Sequence, residues 1–252
     1  MKYVIIGGDN RFECLERILK ARGETAVRIP EDAVNAGRLA GADVVVMNCP
    51  AKGEGAVETV LRHAPVLARI CTCGPKSPEI QDCRIADLWQ DETLKCENAY
   101  LTAEGAVSAV MQAGLKSIRE LRCLMVGWGR IGRALTELLV GMGASVAVAS
   151  RSAAGRNRAI ERGAQGLDTD HLRLNGFDVV FSTPPALVID DKILKKAKRD
   201  VMILDLASPP YGVDLKAAWD LGIRAWREPG IPGRYCPESA ANAILRAIER
   251  HI

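Results

Sequence analysis

Residues 124–135 run LMVGWGRIGRAL. The apolar run over 122–127 predicts a strand, and the periodicity that resumes after the glycines predicts a helix near 131–141. Between them Gly127, Gly129 and Gly132 form a G-x-G-x-x-G turn. Placed between a strand and a helix, that spacing points to a dinucleotide-binding turn. Gly127 permits the sharp bend, Gly129 lets backbone amides approach a pyrophosphate, and Gly132 lets the helix lie close on the strand. The helix start, with Arg130 and Ile131 in its first turn, offers amides and partial positive charge to the anion.

The end of the next strand selects the nucleotide. An NAD site usually places Asp or Glu there, to accept from the ribose 2′-hydroxyl. Residues 144–160, ASVAVASRSAAGRNRAI, contain no acid but three arginines, Arg151, Arg156 and Arg158. A carboxylate would repel a 2′-phosphate, whereas a guanidinium pairs with it. Ser150, Arg151, Ser152 and Arg156 therefore point to NADP(H), with NAD as the other possibility.

Outward from this turn the chain alternates short apolar runs with helical patterns. Strands are expected at 2–7, 25–29, 43–48 and 65–71, and helices at 14–23 and 54–64. Residues 73–96 look irregular. A helical pattern over 102–118 follows, with Thr102 as N-cap and Glu104 in its first turn. A second series predicts strands at 122–127, 145–150, 178–183, 201–207 and 222–226. Helices are expected near 131–141, 153–162, 190–198, 214–221 and 238–250. The rhythm implies an α/β chain of two domains with parallel sheets. Residues 1–98 would form a flavodoxin- or Rossmann-like substrate domain and 99–236 the Rossmann-type dinucleotide-binding domain. The helix in 237–252 would pack back on the first, and a cleft between the domains would bring substrate and cofactor together.

The bulk numbers exclude several classes. Thirty-four basic against 31 acidic residues give a net charge of +3, with no polybasic block that would suggest nucleic acid. No apolar run approaches the roughly 18–20 residues that span a bilayer, and the start reads as a strand rather than a signal peptide. A cytoplasmic protein is expected. The eight cysteines are scattered, which suits free thiols. Cys71 and Cys73 form a C-x-C, but no second Cys/His pair at ligand spacing follows, so no metal is expected.

Five further stretches extend the reading: IGGDNRFECL (6–15), NAYLTAEGAVSAVMQ (98–112), TPPALVI (183–189), ILDLASPPYGVD (203–214) and EPGIPGRYCPESAA (228–241). With the glycine turn, and in this order, they resemble the family of A-type dipicolinate synthase subunits of spore-forming bacteria. The resemblance is collinear from Gly7 to Ala241, strongest from Asn98 onward and weak between about Pro30 and Glu97. It implies an oxidoreductase of spore formation (sporulation), acting in the mother cell. Such a protein would convert the dihydrodipicolinate-level intermediate of lysine synthesis, a small dicarboxylate, to dipicolinate. It would pass hydride to a nicotinamide nucleotide and act with a flavoprotein-like B-type subunit. The chain departs from the family pattern in its shorter length, at Glu228, and at Glu238, where the family tends to carry lysine.

A hydroxy-acid dehydrogenase needs a base near the hydroxyl, usually His or Lys. The three histidines, His63, His171 and His251, lie outside every motif above. Oxidising a dihydropyridine makes an aromatic ring, so the site's main tasks are alignment and holding two carboxylates. Thr183, Pro184 and Pro185 would line the nicotinamide pocket, Ala207 and Ser208 end a strand at the ligand-binding edge, and Gly230 belongs to a loop over the cofactor. Candidate catalytic residues are Glu104, as proton acceptor, and Ser208. Lys52, Asn98, Thr102 and Arg234 are candidates for substrate binding, Thr102 through the expected helix N-terminus. The alternatives are a shikimate-dehydrogenase-like NADP oxidoreductase and a non-catalytic nucleotide-binding regulatory protein. The chain could also form a homo-oligomer.

Overall fold

The computed structural model describes residues 1–48, 55–73, 82–114 and 116–252. In chain order the elements begin β1 (Lys2–Ile6), α1 (Asn10–Ala21), β2 (Thr25–Ile29), α2 (Ala36–Leu39), β3 (Val44–Asn48), α3 (Ala56–His63), β4 (Arg69–Cys73), β5 (Ile85–Asp87) and α4 (Glu92–Ala113). They continue with β6 (Arg122–Val126), α5 (Arg130–Gly141), β7 (Ser145–Ala149), α6 (Ala153–Glu161), β8 (Gln165–Leu167), β9 (Val179–Ser182) and α7 (Asp191–Leu194). The last are β10 (Met202–Asp205), α8 (Leu215–Asp220), β11 (Arg224–Arg227), α9 (Ile231–Tyr235) and α10 (Pro237–His251). The chain divides into two compact units, Met1–Asn98 with Pro232–Ile252, and Ala99–Ile231. The return to the first unit thus falls at Pro232, not after residue 236.

The first unit holds a five-stranded parallel sheet in the order β2-β1-β3-β4-β5. Alternate residues of each strand face opposite sides, and both sides are covered. Tyr3, Ile5, Val44 and Val46 pack with Phe12, Leu15 and Leu19 of α1 and with Leu245 and Ile248 of α10. Val4, Ile6, Val45 and Met47 pack with Leu39, Val57 and Val60 on the other side. Helix α10 starts with Pro237 in its first turn, where a missing N–H costs nothing.

The second unit holds six parallel strands in the order β11-β10-β9-β6-β7-β8. Numbered within the unit this is 3-2-1-4-5-6 read from its other edge, the doubly wound dinucleotide-binding order. Leu124, Val126, Ala147, Ala149, Val180 and Ile203 form one buried face with Leu194 and Ala218. Cys123, Met125, Val148, Phe181 and Leu204 fill the other. Burial pushes the thiols of Cys71 and Cys123 up to about 12, so both act as small apolar side chains.

Several expected elements differ from those observed. The strand expected at 65–71 begins only at Arg69: Pro65 opens a turn closed by the Ala68 amide, and Val66 and Leu67 are 82% and 92% exposed. The helix expected from Thr102 begins ten residues earlier, at Glu92. Asp91 starts it by accepting the Leu94 amide at 2.9 Å. Strands β5 and β8 and helix α9 replace what reads as irregular chain.

Candidate functional site

Ligands of open α/β sheets bind outside the carboxyl ends of the strands, where the strand order reverses. In the second unit that point lies between β6 and β9, and the glycine turn follows β6. Gly127 has φ +100°, a conformation few other residues adopt, and its amide donates to Ala149 O at 2.9 Å. A side chain there would strike Thr183 Oγ1 at 2.4 Å. At Gly132 a Cβ would lie 2.3 Å from the Gly127 carbonyl oxygen, so only glycine lets α5 sit this close to the turn. At Gly129 a Cβ would meet no protein atom within 4 Å. The three glycines thus divide as bend, open face and packing contact.

Gly129 is the N-cap of α5, and no side chain caps the helix. Amides of a first turn lack intrahelical acceptors. Those of Ile131 and Gly132, with the open face at Gly129, form a cradle suited to a diphosphate. Trp128, inside the turn, has a buried indole N–H with no acceptor among the described residues. Its ring lies 5.8 Å from the Arg162 guanidinium, which also donates to Glu137 at 2.6 Å. Nothing in the sequence singles out Trp128, since the middle position of G-x-G carries no side-chain requirement. These features fit a dinucleotide.

The arginine-rich turn follows β7. Ser150 is buried, Arg151 and Ser152 are exposed, and Ser152 caps α6 by accepting the Gly155 amide at 3.1 Å. Arg156 is half-buried and engaged: its Nη1 donates to the carbonyls of Ser150 and Arg151 and lies 2.8 Å from Asp168. Arg130 is exposed and Ile131 half-buried. Thr183 spends its hydroxyl on Val126 O at 3.0 Å, half-buried Pro184 packs against Gly127, and Pro185 is exposed. Thr183 and Pro184 therefore build the wall of the turn.

After β10, Asp205 is buried and accepts the amides of Ala207 (3.2 Å) and Gly212 (3.3 Å). Arg227 pairs with it at 3.2 Å and stacks 3.8 Å over the Tyr211 ring. This pair holds the turn that presents Ala207 and the exposed Ser208. It is hidden in the sequence, because Arg227 is remote in the chain and its strand is short. Gly230 is exposed, with φ +64°. The loop expected over the cofactor is in part helix: Ile231, Pro232 and Gly233 are buried at the start of α9, where a proline is tolerated. Arg234 is exposed on α9, 5.7 Å from the Tyr235 ring.

The carboxylate site expected at a helix start by Thr102 is not present, because α4 runs through that point. Thr102 is buried in the helix interior and Glu104 exposed, two positions on and so about 200° round the helix. The helix does not bring these two together. Asn98 lies one turn before Thr102 and shares a small pocket of the first unit with Arg11, Cys73 and Trp89. The Arg11 guanidinium grips Asp9 through two nitrogens at 2.8 and 2.9 Å. Burial raises the Asp9 carboxyl, but Arg11 outweighs it and holds the group below its ordinary value. Lys52 lies outside the described residues. Glu238 is exposed and accepts from Arg17 at 2.5 Å; Glu228 accepts from Trp226 at 3.1 Å. No described helix is long and apolar enough to cross a membrane.

No protein-family model matches the chain. A search of curated proteins finds the A-type subunit of dipicolinate synthase from Bacillus subtilis, 28% identical over 169 residues. That alignment covers 66% of this chain, so the chain spans only 57% of the curated relative it matches. Among solved structures, the dipicolinate synthase A chain of Bacillus subtilis superposes with a TM-score of 0.80 at 23% identity, covering 99% of this chain and 95% of that one. The corresponding protein from Bacillus halodurans gives 0.80 at 22%, covering 100% and 98%. The apo D-lactate dehydrogenase of Escherichia coli gives 0.64 at 15%, covering 99% and 95%. In sequence the chain is similar to an A-type dipicolinate synthase subunit, and in fold it is similar to two solved ones.

Proposed function

We propose that the chain is an NADP-dependent dehydrogenase that oxidises the dihydrodipicolinate-level intermediate of lysine synthesis to dipicolinate, together with a flavoprotein-like partner protein. The observation that carries this is the glycine turn of a chain similar to the A-type dipicolinate synthase subunits, with Arg151 rather than an acid at the end of β7. When bound, the nicotinamide nucleotide supplies the hydride acceptor. The chain's own residues bind and orient. The cradle at Gly129, Ile131 and Gly132 holds the diphosphate, and Arg151 with Ser152 faces the 2′-phosphate. Thr183 and Pro184 fix the glycine turn, and Ala207, Ser208 and Gly230 would help to hold the nicotinamide end. On the substrate side, Asn98 and the exposed Arg234 offer an amide and a guanidinium to a carboxylate. Ser208 stands at the carboxyl edge of β10, where ligands of such sheets bind, and orients the substrate. Glu104, exposed on α4, takes the proton lost on aromatisation. Because aromatisation drives the reaction, removing one proton-handling group slows turnover without abolishing it.

The test incubates the chain, with and without the partner protein, with the lysine-pathway intermediate and NADP, and follows dipicolinate by terbium-sensitised luminescence. Signal dependent on the chain and the nucleotide is expected. Its absence with both proteins present contradicts the proposal.

A further inference from the structure

The turn after β7 contains two guanidinium groups in different states. Arg151 is exposed and makes no ion pair among the described residues. Arg156 is engaged through one nitrogen. Its Nη1 donates to Ser150 O at 2.8 Å and Arg151 O at 3.1 Å, and lies 2.8 Å from Asp168 Oδ2. Asp168 is itself anchored, accepting the Asp170 amide at 3.1 Å to start the short helical turn after β8. Two glycines permit this assembly. A Cβ at Gly155 would lie 2.6 Å from Ser150 Oγ, and one at Gly166 would lie 3.0 Å from Arg156 Cβ. Helix α6 is therefore pressed against β7 and β8 by contacts that leave no room for a side chain.

We infer that Arg156 is a positioning residue for 2′-phosphate recognition: it ties the backbone of Ser150 and Arg151 to Asp168 and so aims Arg151 at the 2′-phosphate of an NADP-class nucleotide. This rests on the NADP reading above and deepens it. Arg156 and Asp168 cancel as an ion pair, so their joint field at the adenosine end is small. The net charge that discriminates a 2′-phosphate from a 2′-hydroxyl is that of Arg151. A guanidinium discriminates well only when its backbone is fixed, since binding otherwise costs the ordering of a long side chain and its turn.

A double-mutant cycle separates aiming from direct contact. The full chain is titrated calorimetrically with adenosine 2′,5′-bisphosphate and with 5′-AMP. The parent should prefer the bisphosphate by roughly tenfold or more, and Arg151→Ala should bring the ratio to about one. Arg156→Ala should reduce the ratio roughly three- to fivefold while sparing 5′-AMP, and should have no further effect in the Arg151→Ala background. Arg156→Lys should restore most of the preference, because one nitrogen makes all three contacts. Amide exchange over 150–156 in the ligand-free chain should quicken in Arg156→Ala and not in Arg151→Ala, which reads the tether whether or not ligand binds. Additive losses in the double variant, or unchanged exchange in Arg156→Ala, overturn the positioning role and leave the NADP reading standing. A parent that binds both probes equally overturns the NADP reading itself, and this inference with it.

Discussion

Gly129 and Gly132 are three positions apart and have opposite surroundings. At Gly132 an added methyl meets a backbone oxygen that cannot move without opening the turn. Gly132→Ala should therefore destabilise the fold by about 1–3 kcal/mol in thermal or denaturant unfolding and weaken nucleotide binding as well. At Gly129 the methyl meets no protein atom, so Gly129→Ala should shift stability by less than about 1 kcal/mol yet weaken nucleotide binding roughly tenfold or more. Equal effects of the two substitutions on stability would contradict the division of labour. The glycine roles were legible in the sequence because a spacing encodes a backbone path. The employment of Arg156 was not. Its partner Asp168 is twelve residues away, and a run of arginines looks alike whether a guanidinium points to solvent or under a turn.

At the scale of elements, α4 shows how a correct helix with a misplaced start changes chemistry. Its first turns contain Lys95 and Glu97 among apolar positions, a pattern that merges into the irregular stretch before it. The start is set by Asp91, whose partners in α10 lie far along the chain: Arg250 Nε is 2.9 Å away and His251 Nε2 3.4 Å. Burial pushes the Asp91 carboxyl up, but the Leu94 amide and Arg250 outweigh it and hold the group below its ordinary value. The folded-state pKa is thus the lower one. Its stabilisation is fully present above about pH 4, the unfolded value, and is lost as pH falls through the folded value. Asp91→Ala should cost about 1–2 kcal/mol at neutral pH, and the gap between variant and parent should narrow in acid. A gap that widens below pH 4 would contradict this assignment. Strands β5 and β8, three residues each, are too short to show a period, and Gly166 breaks the apolar pattern of β8.

Over the whole molecule, long strands and amphipathic helices made two parallel α/β sheets readable, because burial on both faces demands near-continuous apolar runs. The first sheet opens onto a turn that Glu31 and Phe12 fill at Gly7 and Gly8, while the second opens onto the bare face of Gly129. This contrast favours nucleotide binding in the second unit. The surroundings of Asn98 were less legible, since Arg11, Cys73 and Trp89 meet it only through folding and share no motif with it. The choice of nucleotide rests on one exposed guanidinium where an NAD site would carry an acid. A fluorescence titration of the intact chain with NADPH and with NADH reads that choice. Saturable binding of both is expected, with NADPH tighter by roughly tenfold or more. Equal affinities, or no binding of either, would contradict it.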